Sequence, residues 1–124
     1  MWMRPDSVAA TYGLGEALFL AGRNDEAIAV LAEVRQQEPD YRGLHLTYGA
    51  ALLDAGKADQ ALVEFEAALA QESPTVKLLH LRALALLELG RRAEAEAAVR
   101  RTLDFAPGYP PAVELARELG LNAK

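Results

Sequence analysis

The stretch AGRNDEAIAVL, residues 21–31, returns twice in altered form, as AGKADQALVEF at 55–65 and as LGRRAEAEAAV at 89–99. Ala27, Ala61 and Ala95 stand 34 residues apart, and so do Gly22, Gly56 and Gly90. A fixed period of that length predicts a row of stacked helix pairs, because one such pair cannot bury its apolar faces without a neighbour. Aligned on the alanines, with no insertion or deletion, the chain divides into residues 8–41, 42–75 and 76–109, followed by a tail to Lys124.

Breakers and periodicity place the elements. In each unit an apolar-periodic stretch stops at a glycine, a few polar residues follow, a second amphipathic stretch runs about as long, and a proline closes it. Helices are predicted near 6–21, 24–37, 41–55, 58–71, 75–89 and 92–105, with a seventh near 110–119. Asp6 is the candidate N-cap of the first and Gly120 the candidate terminator of the last. No stretch alternates as a strand does, so the fold class is all-α.

On these residues the chain resembles the tetratricopeptide repeat family: three repeats and a C-terminal capping helix. The family pattern sets an aromatic residue, Leu-Gly and Tyr on the first helix, Ala and then Phe on the second, and Pro at the close. The first repeat supplies Leu14, Gly15, Leu18, Ala27, Leu31 and Pro39, with Thr11 in the tryptophan slot. The second supplies Tyr48, Gly49, Leu52, Ala61 and Phe65, with His45 in that slot and the proline one residue late at Pro74. The third, the most divergent, supplies Leu79, Ala83, Leu86, Ala95, Val99 and Pro107, with Arg82 where a leucine is expected. The three cover 102 residues, from 8 to 109. The resemblance implies one domain over 1–124, a right-handed α-α superhelix of antiparallel helix pairs whose concave inner face holds a peptide or partner helix.

The pattern has a physical sense of its own. Gly15, Gly49 and Ala83 share a helix face with the neighbouring leucines, and Ala27, Ala61 and Ala95 open the partner helices. Small against small lets two axes approach, so that Leu18, Leu52, Leu86, Leu31, Phe65 and Val99 interlock around the contact. The ends of such a stack need covers. The tail PPAVELARELGLNAK, residues 110–124, reads as one: Val113, Leu115, Ala116 and Leu119 can face the third repeat, leaving Glu114, Arg117, Glu118 and Lys124 to water. At the other end, Trp2 and Met3 precede the first helix without a core of their own, and are expected to fold back on the first pair or to contact a partner or an upstream segment.

Composition excludes several classes of function. The chain has 124 residues, 52% hydrophobic and 25% charged, an ordinary globular balance for one domain. With no cysteine there are neither disulfides nor thiolate zinc sites. MWMRPDSVAA, residues 1–10, has no apolar core of signal-peptide length and no run is long enough to span a bilayer, so a cytoplasmic protein or an excised domain is expected, with no membrane insertion. Two histidines, His45 and His80, fall short of a zinc ligand set; His45 is expected to pack between helices and His80 to lie at the surface or groove. No phosphate loop and no nucleophile beside a base are found, and the glutamates read as solvated helix faces, so the chain is expected to be no enzyme and to need no cofactor. A formal charge of −5 removes the main driving term for nucleic acid. Arg100 and Arg101, late in a second helix, complement its dipole.

What remains is surface for binding. On the first helix of each pair, a stripe a quarter-turn from the core face carries Tyr12, Glu16 and Phe19, then Leu46, Ala50 and Leu53, then His80, Leu84 and Leu87. In the family the equivalent stripes line the inner surface, which implies a largely apolar groove suited to an amphipathic or hydrophobic segment. Leu46, Ala50 and Leu84 serve equally as packing between first helices, whereas Tyr12, Phe19, Leu53 and Leu87 are expected in the open groove. Family members that grip acidic chaperone tails use lysine, asparagine and arginine here; of those only Lys77 is present, so that clamp is not expected. Lysine plus arginine against aspartate plus glutamate run 2 to 6, 2 to 5 and 6 to 4 through the repeats, a polarity able to orient a partner or a second copy of the chain.

The expected function is a scaffold or protein-interaction module. The alternatives are a regulatory or substrate-recruiting domain of a larger enzyme, and a structural protein that forms homo-oligomers. One consequence concerns the small residues directly: Ala61→Phe should overpack its helix pair and lower stability by about 1–3 kcal/mol or more in denaturant unfolding.

Overall fold

Gly22, Gly56, Gly90 and Gly120 hold φ between 76° and 83°, a left-handed backbone that side chains with a Cβ seldom adopt. Each closes the same turn. The amide after the glycine reaches back to the carbonyl five residues earlier: Arg23 to Leu18 at 2.9 Å, Lys57 to Leu52 at 2.8 Å, Arg91 to Leu86 at 3.0 Å and Leu121 to Ala116 at 2.9 Å. The helix carbonyls that would otherwise be orphaned are thereby satisfied, and the chain reverses within three residues.

The computed structural model describes residues 8–121, and among them it forms seven α-helices. These are α1 (Val8–Leu20), α2 (Asn24–Gln37), α3 (Leu44–Asp54), α4 (Ala58–Gln71), α5 (Val76–Glu88), α6 (Arg92–Phe105) and α7 (Pro110–Glu118). Asp6, Trp2, Met3 and Lys124 lie outside the described residues. α3 begins later than the periodicity predicts, because Gly43 at φ 87° breaks the backbone before it and residues 38–43 are spent in turns. α5 is capped by Thr75, whose hydroxyl accepts from the Leu78 amide at 3.2 Å, an interaction of roughly 1 kcal/mol. In α2, Asp25 and Glu26 in the first turn and Arg35 in the last suit the helix dipole. No helix among the described residues is long and apolar enough to cross a membrane.

The chain divides into two compact units, one ending at Glu64 and the other beginning at Phe65, within α4. In the first, α1, α2 and α3 enclose Val8, Ala27, Leu31, Val34, Leu44 and Ala51, with Leu18, Phe19, Tyr41 and Tyr48 partly buried against them. Gly15 is buried on α1, and a Cβ built there would lie 2.6 Å from Leu31 Cδ2. Leu31 is itself fully enclosed and has nowhere to move, so only glycine admits this approach of α1 to α2. In the second unit α5 packs on α6 and α6 on α7. Ala83, Leu86, Ala95 and Val99 are buried in the same places of the repeat, and α7 adds Ala112, Leu115 and Ala116.

The slot of Leu14, Tyr48 and Arg82 shows how position in the row changes a residue's role. Tyr48 lies beside Arg35 of α2, and the Arg82 Nε meets Glu66 Oε2 of α4 at 2.7 Å. Each leans on the second helix of the pair before it. Among the described residues α1 has no such helix, and the motif leucine Leu14 is 53% exposed.

Glu64 departs from the expectation that glutamates occupy solvated faces: it is only 4% exposed. His45 Nδ1, on buried α3, donates to its Oε1 at 2.8 Å, and Arg35 Nε lies 2.7 Å from its Oε2. The second contact is Coulombic, since the Arg35 N–H does not point along it. Burial and the Glu64 charge together raise the pKa of the adjacent Tyr48 phenol, with Arg35 acting the other way. Removing one partner of a buried charged hydrogen bond costs more than the bond contributes, because the other partner stays desolvated. Glu64→Ala should therefore lower stability by about 2–3 kcal/mol in chemical denaturation. Glu64→Gln, which still accepts from His45, should cost clearly less; equal stability of Glu64→Ala and the parent would contradict this assignment.

Candidate functional site

The three first-helix stripes meet different fates. On α1, Tyr12, Glu16 and Phe19 share a face by their spacing, and Glu16 is exposed. Tyr12 and Phe19 are only partly open, each resting on the core of the first unit. The Tyr12 ring lies 5.1 Å from that of Tyr41. Its hydroxyl donates to the Gly43 carbonyl at 3.2 Å and hydrogen-bonds Thr47 Oγ1 at 2.8 Å. Tyr12 thus ties α1 to the start of α3.

On α3 the expected groove is largely closed. Leu46 is half-buried, Ala50 is buried, and Leu53, expected in the open, is 7% exposed. The reason is visible in the run Gly49, Ala50, Ala51, Leu52 and Leu53, all buried. Five successive residues cover more than one 3.6-residue turn, so at this level α3 has no face left for solvent.

The stripe on α5 stays partly open and carries two leucines. Lys77 is exposed, and His80, Leu84 and Leu87 are half-buried in succession along the helix. The His80 ring meets the edge of Tyr109 at a centroid distance of 5.6 Å. Burial lowers its pKa below the usual histidine value, so the imidazole is neutral at pH 7. Lys77 is then the one cation of this stripe, beside two leucines and an uncharged ring.

A polar pocket absent from the sequence reading lies in the first unit. Arg35, Tyr48, Gln60, Val63 and Glu64 surround a cavity of about 240 Å3 floored by Leu52. Its signal in the sequence was His45 in an aromatic slot of a core helix, since a buried imidazole needs a polar partner. No cluster of three or more metal-ligating side chains forms among the described residues.

Comparison with known proteins agrees with this architecture. The family model of the tetratricopeptide repeat matches residues 3–50 and 52–119. Protein FlbA of Caulobacter vibrioides is 35% identical over 111 residues, a match covering 86% of this chain and 18% of FlbA, so the chain spans under a fifth of that relative's length. Among solved structures, the Arabidopsis OM64 tetratricopeptide domain superposes with a TM-score of 0.85 at 22% identity, covering 92% of this chain and 94% of that one. The first such domain of Spaghetti (RPAP3), bound to the HSP90 peptide SRMEEVD, gives 0.83 at 21% identity over 95% and 94%. PcrH in complex with the chaperone binding region of PopB gives 0.73 at 22% identity over 95% of each chain. At these identities the structural likeness shows the fold, and the family model, matching nearly the whole sequence, shows the lineage: the chain belongs to the tetratricopeptide repeat family.

Proposed function

We propose that the chain is a protein-interaction module of three repeats, residues 8–41, 42–75 and 76–109, with α7 as cover, and that it binds a segment of another protein on its first-helix stripes. The observation that carries this reading is the α5 stripe, where Leu84 and Leu87 remain half-open beside exposed Lys77 and neutral His80. Two leucines presented one helical turn apart, at the edge of a packed core, match what an amphipathic or extended apolar segment needs to lose its own water. Tyr12, Glu16 and Phe19 offer a smaller, more acidic counterpart on α1, to which Leu46 adds from α3; Ala50 and Leu53 are left out.

Chemistry separates this partner from those of the peptide-bound neighbours. SRMEEVD, carried by the RPAP3 structure, ends in acidic residues and a carboxylate. The stripes here present Glu16 and a single lysine, which gives such a tail little charge to meet. The PopB segment held by PcrH supports the reading in general form, a protein segment bound by a domain of this fold. A second reading, a recruiting domain within a longer protein, is favoured by FlbA, in which the similar segment is a minor part of the length.

The test is affinity capture from the source cell with the full chain beside a Leu84→Glu/Leu87→Glu variant whose helical circular dichroism is intact. The captured partner should fall at least about tenfold with the variant, the scale of losing roughly 1.4 kcal/mol of apolar contact. A partner retained equally by both chains removes the α5 stripe from the function.

A further inference from the structure

The open face of α5 carries an order of its own. At about 100° per residue, Lys77, Leu81, Leu84 and Glu88 fall within a band about 60° wide along the helix. Lys77 and Glu88 are exposed and the two leucines between them are half-buried. Opposite the band, Leu79, Ala83 and Leu86 are buried in the core of their unit. Half-buried His80 and Leu87 flank it on one side, and buried Leu78 and Ala85 close it on the other. The ion pair that α5 makes is Arg82 with Glu66, away from the band; among the described residues neither Lys77 nor Glu88 has such a partner.

The four residues of the band are spaced by 4, 3 and 4, the rhythm of a coiled-coil seam. That spacing reads the same in both directions, so two copies of α5 laid antiparallel are in register. Lys77 of each then meets Glu88 of the other, Leu81 meets Leu84, and every contact is made twice about a two-fold axis. Opposite charges close both ends, the leucines of both copies fill the centre, and the helix dipoles are opposed. A parallel pair would instead set Lys77 on Lys77 and Glu88 on Glu88. The pattern is not a property of the repeat. One period earlier the two leucine positions hold Thr47 and Ala50, and two periods earlier Gly13 and Glu16.

We propose that α5 is a self-recognition surface, on which a second copy of this chain docks its own α5 antiparallel across a two-fold axis. Charge and register choose the occupant, since the chain itself supplies the complementary seam. The proposal rests on the same open face as the proposed function but needs no foreign segment. It makes the two occupants mutually exclusive, so that self-association withholds the face from another protein. One helix face is small beside the roughly 800 Å2 that each partner buries in a stable complex, so the dimer is weak and yields to a tighter ligand.

Sedimentation equilibrium of the full chain at low salt, from about 10 μM to about 1 mM, should show a monomer–dimer equilibrium. Lys77→Glu or Glu88→Lys, each an exposed change that turns both end pairs from attraction to repulsion, should weaken it at least about fivefold. The double variant Lys77→Glu/Glu88→Lys restores both pairs in reverse at the parent's net charge, and should dimerise within about twofold of the parent. A chain still monomeric at the top of the series, a dimer that neither single variant weakens, or a double variant as weak as the singles overturns the proposal. All three variants keep Leu84 and Leu87. A monomeric parent therefore leaves the capture of a foreign partner to be judged separately, and capture indifferent to those leucines counts against the proposed function whatever the state of the dimer.

Discussion

The closeness of α1 and α2 at Gly15 is the constraint from which the rest follows. Leu31 fills the space where a side chain on Gly15 would be, and it is enclosed on every side. A helix-interior glycine costs roughly 0.5–1 kcal/mol against alanine in backbone entropy, so the position is a local weakness that tertiary packing has to offset. The offset is burial of the whole Leu31 side chain, of order 1.5–3 kcal/mol, which the close approach makes possible. Ala83, Ala27, Ala61 and Ala95, fully buried in their own helices, extend the same solution with side chains a single methyl in size.

From that approach distance comes a division of labour between helices. Second helices give their small and large residues to the pair contact, and the first helices keep a flank that their partners do not reach. Whether the flank stays open depends on its further neighbours, and the structure resolves this helix by helix. α3 is buried through a full turn, while α5 keeps Leu84 and Leu87 half-open. The binding surface is therefore a remainder, set by packing rather than by a dedicated motif.

The repeating parts of the fold were legible because each is local. A glycine seven residues past Gly15 or Gly49 announces the turn, an amphipathic stretch of fixed length announces the helix, and α2, α4 and α6 begin where the period predicts. The start of α3 was less legible, since Gly43 reads as an ordinary residue until its left-handed conformation is seen. Periodicity also assigned Leu53 to an open flank of α3, where it is 7% exposed: a period does not tell how many neighbours converge on a residue. Leu14 shows the opposite case, a motif leucine 53% exposed on α1, before which no helix stands among the described residues. Glu64 was illegible for a different reason. Its burial depends on His45 and Arg35, brought from two other helices, and no spacing within α4 carries that information.

The central claim is tested most directly by a double-mutant cycle at Gly15 and Leu31, read as unfolding free energy in denaturant. In the parent, Gly15→Ala should destabilise by about 1–3 kcal/mol despite the better helix propensity of alanine, because its methyl has to displace Leu31. In a Leu31→Ala background the space is free, and the same substitution should become neutral or stabilise by up to about 1 kcal/mol. If Gly15→Ala stabilises the protein equally in both backgrounds, the two helices are not held by this contact and the account fails.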